Sequence, residues 1–150
     1  MTLVHSTFTV DRTFSAPIAR VFNAFENPEI RRRWFVEGEG WEIVRYELNF
    51  KAGSREGGVF RFQGGPEIGN DTLYTDIIPN ERIVFAYTMT VAGKNISSSL
   101  VTVQFSTEGD TTRLTYTEQG AYFEGGQDAV RGREAGTKEL FEKLALELTR

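Results

Sequence analysis

The sequence predicts an α+β fold: a curved antiparallel β-sheet with two short helices after the first strand and a long C-terminal helix across its concave face. Three observations predict it. Strand patterns with short turns fill the middle of the chain, two short helical patterns follow the first strand, and one long helical pattern closes the chain. Short turns join consecutive strands as antiparallel hairpins, and the closing helix is the one long amphipathic element that can cover their apolar face.

The first strand and the two short helices occupy the N-terminal quarter. Residues 6–14 alternate between polar and apolar side chains, as a half-buried strand does. Ser15 and Pro17 then offer a capping hydroxyl and a first-turn proline to a helix. A second helical stretch begins at Pro28 and closes at Trp34 and Phe35.

Six further strands and a helix complete the predicted order. The strand patterns cover residues 41–52, 58–64, 71–78, 82–91, 96–106 and 111–119. The turns between them read AGSREGG, GGPEIGN, PNE, AGKN and TEGD, which are rich in residues that tolerate tight backbone. From about Gln127 the chain reads as one amphipathic helix. Its apolar face carries Val130, Thr137, Leu140, Phe141, Leu144 and Leu148.

Length and composition favour one domain over residues 1–150. A chain of 150 residues can bury enough surface to fold without a metal or disulfide. The absence of cysteine excludes a disulfide scaffold, a thiolate metal site and a cysteine nucleophile. No signal-peptide pattern and no run of about 18 apolar residues is present. We therefore expect a cytoplasmic protein without a membrane partner.

The run Arg31-Arg32-Arg33 beside two aromatic residues raises the question of nucleic-acid binding. The net charge is −4, whereas proteins that bind phosphates concentrate an excess of cations on one face. Glu37, Glu39 and Glu42 follow at once. The sequence therefore predicts no nucleic-acid partner, and it places the three arginines at a solvated helix end.

Catalytic patterns are weak. His5 is the only histidine and lies near the N-terminus without an evident partner. Neither a metal-ligand spacing nor a phosphate-binding loop is present, since Gly53 to Gly58 lacks the Gly-Lys-Ser/Thr ending. We predict no cofactor, no metal and no catalytic residue, which leans away from an enzyme without excluding one.

Four stretches resemble one known family in their order along the chain. They are DRTFSAPIARVFNAFENPEIRRRWF, AGSREGGVFRF, IIPNERIVFAY and LVTVQFSTEGDTTRLTYTEQG. Together they are similar to the activator of Hsp90 ATPase homologue family (AHSA1-like), within the START-like, or SRPBCC, helix-grip superfamily. Bacterial members usually carry Gly-Trp in the last helix, where this chain has Gly136-Thr137. The missing ring implies a larger or wetter cavity below that helix.

The resemblance implies a ligand cavity between the long helix and the sheet. Trp34 and Phe35 are expected at its mouth; alternatively, Trp34 fixes the short helices to the core. Strand parity puts the other aromatic and aliphatic candidates on shared faces. The predicted lining residues are Trp34, Phe35, Phe60, Phe62, Phe85, Tyr87, Met89, Val101, Val103, Tyr116, Thr137 and Phe141.

Three charged residues have the parity of buried positions. Arg12 is in register with Phe8 and Phe14, Glu118 with Tyr116, and Arg133 lies about one turn before Thr137. A charge that points inward has to be paired or to meet a polar ligand group, so these three are the candidate polar groups of the cavity.

Three functions remain open on the sequence. The leading hypothesis is a module that binds a small, largely apolar molecule. The resemblance also implies an Hsp90 co-chaperone-like domain that docks a chaperone or another protein, and a homodimer is a further alternative. The third is a polyketide cyclase- or lyase-like enzyme with a tyrosine or glutamate as proton relay.

Overall fold

The computed structural model describes residues 3–150, and its elements follow the predicted order. The helices are α1 (Ile18–Glu26), α2 (Pro28–Arg31), which continues into a π-helical turn (Arg32–Val36), and α3 (Gly126–Glu147). The strands are β1 (Val4–Phe14), β2 (Trp41–Leu48), β3 (Arg55–Phe62), β4 (Glu67–Ile78), β5 (Arg82–Val91), β6 (Lys94–Glu108) and β7 (Thr111–Tyr122).

All seven strands form one antiparallel sheet in the order β1-β7-β6-β5-β4-β3-β2. Because β1 and β2 are the two edges, the short helices between them carry the chain from one edge of the sheet to the other. Register shifts bend β2 between Ile43 and Arg45 and β4 between Tyr74 and Asp76. The predicted α+β helix-grip fold is confirmed.

The core lies between the concave face of the sheet and the helices. Val101, Val103 and Leu114 are completely buried on the central strands. From α3, Phe141 and Leu144 pack into the same cluster, and α1 adds Val21, Phe22 and Phe25. The helical residues recur at the three- and four-residue spacing that turns one face of each helix to the sheet.

Several element bounds differ from the sequence prediction. The predicted turn GGPEIGN is correct in place but too long, because β4 begins at Glu67 and Ile68–Asn70 pair with both β3 and β5. Gly69 makes this possible: a Cβ built there would come within 2.3 Å of Thr90 Oγ1.

The helix starts also differ from the prediction. The Ser15 cap is wrong, since Pro17 occupies the N-cap position of α1 and no side chain hydrogen-bonds the start of that helix. In α2 the expected Pro28 start is correct, and Asn27 caps it by accepting from the Glu29 and Ile30 amides.

Among residues 3–150, no helix is long and apolar enough to cross a membrane.

Candidate functional site

Glu118 is the centre of a buried polar network. Its side chain is fully buried on the inner face of β7. Oε2 accepts from Tyr87 (2.8 Å), Ser99 (2.7 Å) and Arg133 Nη1 (3.1 Å), and Oε1 accepts from the Tyr116 hydroxyl (3.0 Å). Four donors, one of them the positively charged guanidinium of Arg133, therefore surround the carboxylate.

Arg133 brings α3 into this network, which we call the Glu118 network. Its guanidinium also donates from Nη1 to the Tyr87 hydroxyl (2.9 Å) and from Nη2 to Ser97 Oγ (2.7 Å). The side chain is 13% exposed, so part of it stays within reach of solvent. The arginine thereby joins α3 to β5, β6 and β7.

Tyr122 lies below the same guanidinium. Its ring centroid is 5.2 Å from the Arg133 Cζ atom, and its hydroxyl is buried without a hydrogen-bond partner among the described residues. Gly120 permits this position, because a Cβ there would come within 3.0 Å of the Tyr122 ring and 2.8 Å of Ser99 Oγ. This hydroxyl is closed off from solvent, and a buried hydroxyl without a partner is costly to the folded state.

The tyrosines of the Glu118 network are held as neutral phenols. Burial, with the negative charge of Glu118 as a further cause, raises the pKa of Tyr122 to about 12. The same two causes raise the pKa of Tyr87, and burial raises that of Tyr116 well above its ordinary value. At neutral pH these hydroxyls act as hydrogen-bond donors and not as bases.

A second buried network surrounds Glu56 on β3, and we call it the Glu56 network. Arg31 of α2 grips the carboxylate with Nε (2.9 Å) and Nη2 (3.0 Å). The Tyr46 and Tyr74 hydroxyls donate to the same carboxylate (2.5 and 3.1 Å). The Arg31 Cζ atom lies 3.7 Å from the centroid of the Phe35 ring. Each network thus joins a helix to the sheet through one arginine, one glutamate and at least two tyrosines.

The three consecutive arginines have different environments and different partners. Arg31 is 5% exposed, which corrects the expectation that it faces solvent: its fixed carboxylate partner and aromatic neighbours compensate for burial. Arg32 pairs with Glu37 at 3.1 Å, and Arg33 Nε donates to Glu147 at 2.7 Å. All three therefore have carboxylate partners within the chain.

One side of the concave face stays accessible below α3. Along the helix, Arg133, Gly136, Leu140 and Lys143 share one side at the α-helical spacing. Arg133 reaches β5 there, and a Cβ built at Gly136 meets no atom within 4 Å. The inward side chains Phe60, Phe85 and Met89 lie on strands β3 and β5 and are only half-buried. Solvent therefore reaches the inner face between this side of α3 and β3–β5.

Two exposed aromatic rings lie at the edge of this region. Trp41 and Phe62, at paired positions of β2 and β3, have ring centroids 5.1 Å apart and are 41% and 43% exposed. A Cβ built at Gly38 would lie 3.1 Å from Trp41 and 3.6 Å from Lys143 Nζ. The pair is therefore close to the accessible side of α3.

The predicted lining residues fall into two groups. Phe35, Phe60, Phe85, Met89 and Tyr116 are half-buried, and Phe62 is exposed. The others are buried: Trp34, Tyr87, Val101, Val103, Thr137 and Phe141. Trp34 takes the second of its two expected roles, since it is 2% exposed and its indole donates to the Ala24 carbonyl at 2.8 Å. The Thr137 hydroxyl donates to the Arg133 carbonyl at 3.0 Å.

Two of the three predicted charged residues meet. Glu118 and Arg133 form the pair described above, whereas Arg12 is 32% exposed and pairs with Glu142 near the solvent-facing side of α3. Arg12 therefore does not join the network, because an edge strand lets a long side chain turn out to a helical partner.

Sequence reasoning missed Glu56, Tyr46, Tyr74, Ser97, Ser99 and Tyr122. For most of them a signal was available. Glu56 has the parity of Phe60 and Phe62, and Tyr122 has that of Glu118. The two serines precede Val101 at the same parity, which gives three small or apolar residues on one face.

Another open depression lies on the opposite face of the sheet. A groove of about 770 Å³ on the outer face of β2–β5 is lined in part by Arg45, Arg55, Gly57, Gly69 and Thr90. Because successive side chains alternate between the two faces, these residues point away from both buried networks. We therefore place the candidate functional site on the concave face, where the buried charged groups lie.

Within residues 3–150, no cluster of three or more His, Asp or Glu side chains could hold a metal ion.

The fold and the resemblance to known proteins agree. A family model described as "Activator of Hsp90 ATPase homolog 1-like protein" matches residues 15–149. The chain belongs to this family, within the START-like (SRPBCC) superfamily. No curated protein matches it.

Solved structures give the same result. The Mll3558 protein from Rhizobium loti is 45% identical, with a TM-score of 0.90 over 98% of this chain and 99% of that one. An uncharacterized protein from Rhizobium leguminosarum is 37% identical, with a TM-score of 0.93 over 99% and 97%. DynU16, from the dynemicin biosynthetic locus, has a TM-score of 0.72, and the match covers 95% of this chain and 47% of DynU16. Because the two are only 19% identical, this likeness shows the fold alone.

Proposed function

We propose that the protein binds a small, largely apolar molecule between α3 and strands β3–β5. The observation that carries the proposal is the accessible inner face, where half-buried Phe60, Phe85 and Met89 lie near a buried charged network. Ligand sites are usually concave and mostly apolar, with a few fixed polar groups. The fold of this family commonly holds hydrophobic ligands. The proposal also includes that the chain forms one domain and that the protein is cytoplasmic.

The Glu118 network favours binding over proton transfer. Glu118 is fully buried and already accepts four hydrogen bonds from the protein, so its carboxylate is engaged within the fold. Tyr87, Tyr116 and Tyr122 have raised pKa values, which disfavours each as a general base at neutral pH. The cyclase- or lyase-like alternative is therefore the weaker one.

Docking of a protein partner is the second candidate function. The family description names an activator of a chaperone ATPase, and the outer-face groove offers a surface apart from the concave site. Native mass spectrometry of freshly purified protein separates the two candidates. A co-purified small molecule favours the concave site, whereas a bare chain that captures Hsp90 in a purified two-component mixture favours docking.

Two glycines of α3 give a matched test of the concave site. A Cβ at Gly136 or at Gly132 meets no atom within 4 Å, so both positions accept a larger side chain. Gly136 is half-buried on the accessible side of the helix, and Gly132, one turn earlier, is exposed to solvent. We expect Gly136→Phe to weaken binding of an apolar fluorescent probe, 1-anilinonaphthalene, about tenfold or more, and Gly132→Phe to leave it unchanged. Equal binding by both variants and the wild type would contradict this site.

A further inference from the structure

The ring of Phe60 covers Gly58, which lies two residues earlier on the same strand, β3. A Cβ built at Gly58 would lie 2.3 Å from Phe60 Cζ and 2.9 and 3.0 Å from the two Cε atoms of that ring. The ring therefore occupies the space that a side chain at position 58 would take. Gly58 is buried although it has no side chain, whereas Phe60 is only half-buried. The covering ring thus also borders the accessible part of the concave face.

The strand register shows where the covered space leads. Gly58 pairs with Tyr46 on β2 and with Asn70 on β4, and Asn70 pairs with Met89 on β5. Directly paired residues of antiparallel strands lie on the same face, so these four form one row across the concave side. Adjacent strands are about 4.8 Å apart, which gives the row a length of about 14 Å. A ligand that lies along the row from Met89 reaches Gly58 directly after Asn70.

Phe60 closes this row, although it belongs to the next one. Its own cross-strand partners are Ile43 and Ile68. The ring leans along β3 away from these partners, so that its tip lies over Gly58 and its centroid is 6.4 Å from that of the Tyr46 ring. The ring therefore fills the part of the row between β2 and β4.

The end of the row beyond this ring is fixed. The Tyr46 hydroxyl donates to the Glu56 carboxylate at 2.5 Å, which holds Tyr46 in the Glu56 network. An aromatic ring over a glycine also stabilises a sheet, and a fully buried ring would serve that purpose alone. Phe60 is half-buried beside the proposed ligand site, so its position also determines how far a ligand extends.

We propose that Phe60 sets the length limit of the ligand: the concave site takes compact apolar molecules and excludes longer ones, whose far end needs the space over Gly58. This inference rests on the proposed binding function and names the ligand class for the same site. Removal of the ring opens the space over Gly58. Because Phe60 is half-buried, the new space is continuous with the accessible inner face.

A series of primary alcohols, 1-hexanol, 1-octanol and 1-decanol, measures the length limit. Their dissociation constants are determined for the wild type and Phe60→Ala by amide chemical-shift titration. Each methylene that becomes buried strengthens binding about fourfold. In the wild type we expect the affinity to stop rising within the series. In Phe60→Ala the rise continues, so the ratio of 1-decanol affinity to 1-hexanol affinity becomes about tenfold greater than in the wild type.

Phe62→Ala is the matched control. Phe62 shares the strand and the face of Phe60, but it is 43% exposed and its ring centroid is 5.1 Å from that of Trp41. Loss of the Phe62 ring should change the affinities for all three alcohols by the same factor, which keeps the length dependence of the wild type. Phe60→Leu retains a shorter apolar side chain and should give an intermediate length dependence if Phe60→Ala does not fold. Circular dichroism establishes that each variant is folded.

The failures are distinguishable. Wild-type length dependence in the folded Phe60 variants overturns the length limit, and the proposed apolar site stands if 1-hexanol still binds. The same extension in Phe62→Ala as in Phe60→Ala also overturns it, because the ring over Gly58 is then not the limiting group. If none of the alcohols binds to the wild type or to the variants, both the inference and the proposed function fall.

Discussion

At the scale of single residues, the burial of Arg31 depends on its partners. The side chain of a buried arginine is tolerated when its hydrogen bonds and charge are matched, and Glu56 and the Phe35 ring provide this for Arg31. Arg32, one position later, pairs with the exposed Glu37, and Arg33, two positions later and itself 36% exposed, pairs with the buried Glu147. Adjacent residues of one type therefore have different roles, because successive positions of a helical turn point in different directions.

The Arg31–Glu56 pair makes a prediction for stability. Glu56→Gln leaves a buried guanidinium without its counterion, and we expect the free energy of unfolding to fall by about 3 kcal/mol or more. Arg31→Met should cost a similar amount. The double variant should lose clearly less than the sum, because no unpaired charge then remains buried.

Urea denaturation of the four proteins measures this coupling. Arg32→Met with Glu37→Gln is the matched surface cycle, and its coupling should be below about 1 kcal/mol because that pair is 42% and 49% exposed. Additive losses in the Arg31–Glu56 cycle would contradict the interpretation.

The sequence could predict part of the site at this scale. Parity alone identified Glu118 and the helical spacing identified Arg133, because a long strand and a long helix display their periods clearly. The four-residue helix α2 has too few turns to show a period, so the burial of Arg31 was not predictable. The contact of Tyr46 with Glu56 across the β2–β3 hairpin depends on a register that the sequence does not display.

At the scale of elements, α3 combines a packed side with an accessible side. Phe141 and Leu144 anchor it in the core, while two of its interior residues, Gly132 and Gly136, contribute no side chain to packing. Glycine inside a helix costs stability because the unfolded chain gains more freedom. The helix is therefore less stable than its length suggests.

This feature gives a prediction for α3. Gly132→Ala and Gly136→Ala should each raise the free energy of unfolding by about 0.5–1 kcal/mol, since a Cβ meets no atom within 4 Å at either position. Thermal or urea unfolding measures the gain. As a control, Gly120→Ala should destabilise the protein, because a Cβ there would lie 2.8 Å from Ser99 Oγ. A loss of stability at position 132 or 136 would show that these sites are more crowded than described.

The order of elements was predictable because each strand ends in a turn with recognisable residues. The first and last residues of the strands were less predictable. Strand β4 includes Gly69, and its pairing on both sides, not its own propensity, keeps it extended.

At the scale of the whole molecule, the two networks contain all five tyrosines of the chain. Tyr46 and Tyr74 belong to the Glu56 network, and Tyr87, Tyr116 and Tyr122 to the neighbourhood of Glu118. All five have raised pKa values, with burial as the first cause in each. Ionisation of tyrosine is therefore linked to unfolding of the entire domain.

The linkage predicts alkaline unfolding. Each folded-state pKa is above the unfolded value of 10.0, so the stabilising contribution is complete below pH 10 and is lost as pH rises toward the folded values, about 12 for Tyr122. We expect phenolate absorbance and circular dichroism to change together in one cooperative transition above pH 10. Gradual phenolate formation near pH 10 with unchanged circular dichroism would contradict the prediction.

The bulge in β2 has a consequence for how copies of this protein meet. β2 is an edge of the sheet, and its extra residue Val44 interrupts the regular spacing of backbone donors and acceptors. Exposed charges at Glu42, Arg45 and Glu47 line the same strand. An edge that is both irregular and charged is a poor template for edge-to-edge aggregation. Any self-association of this chain, including a homodimer, is therefore expected to use a surface other than continuation of the sheet at β2.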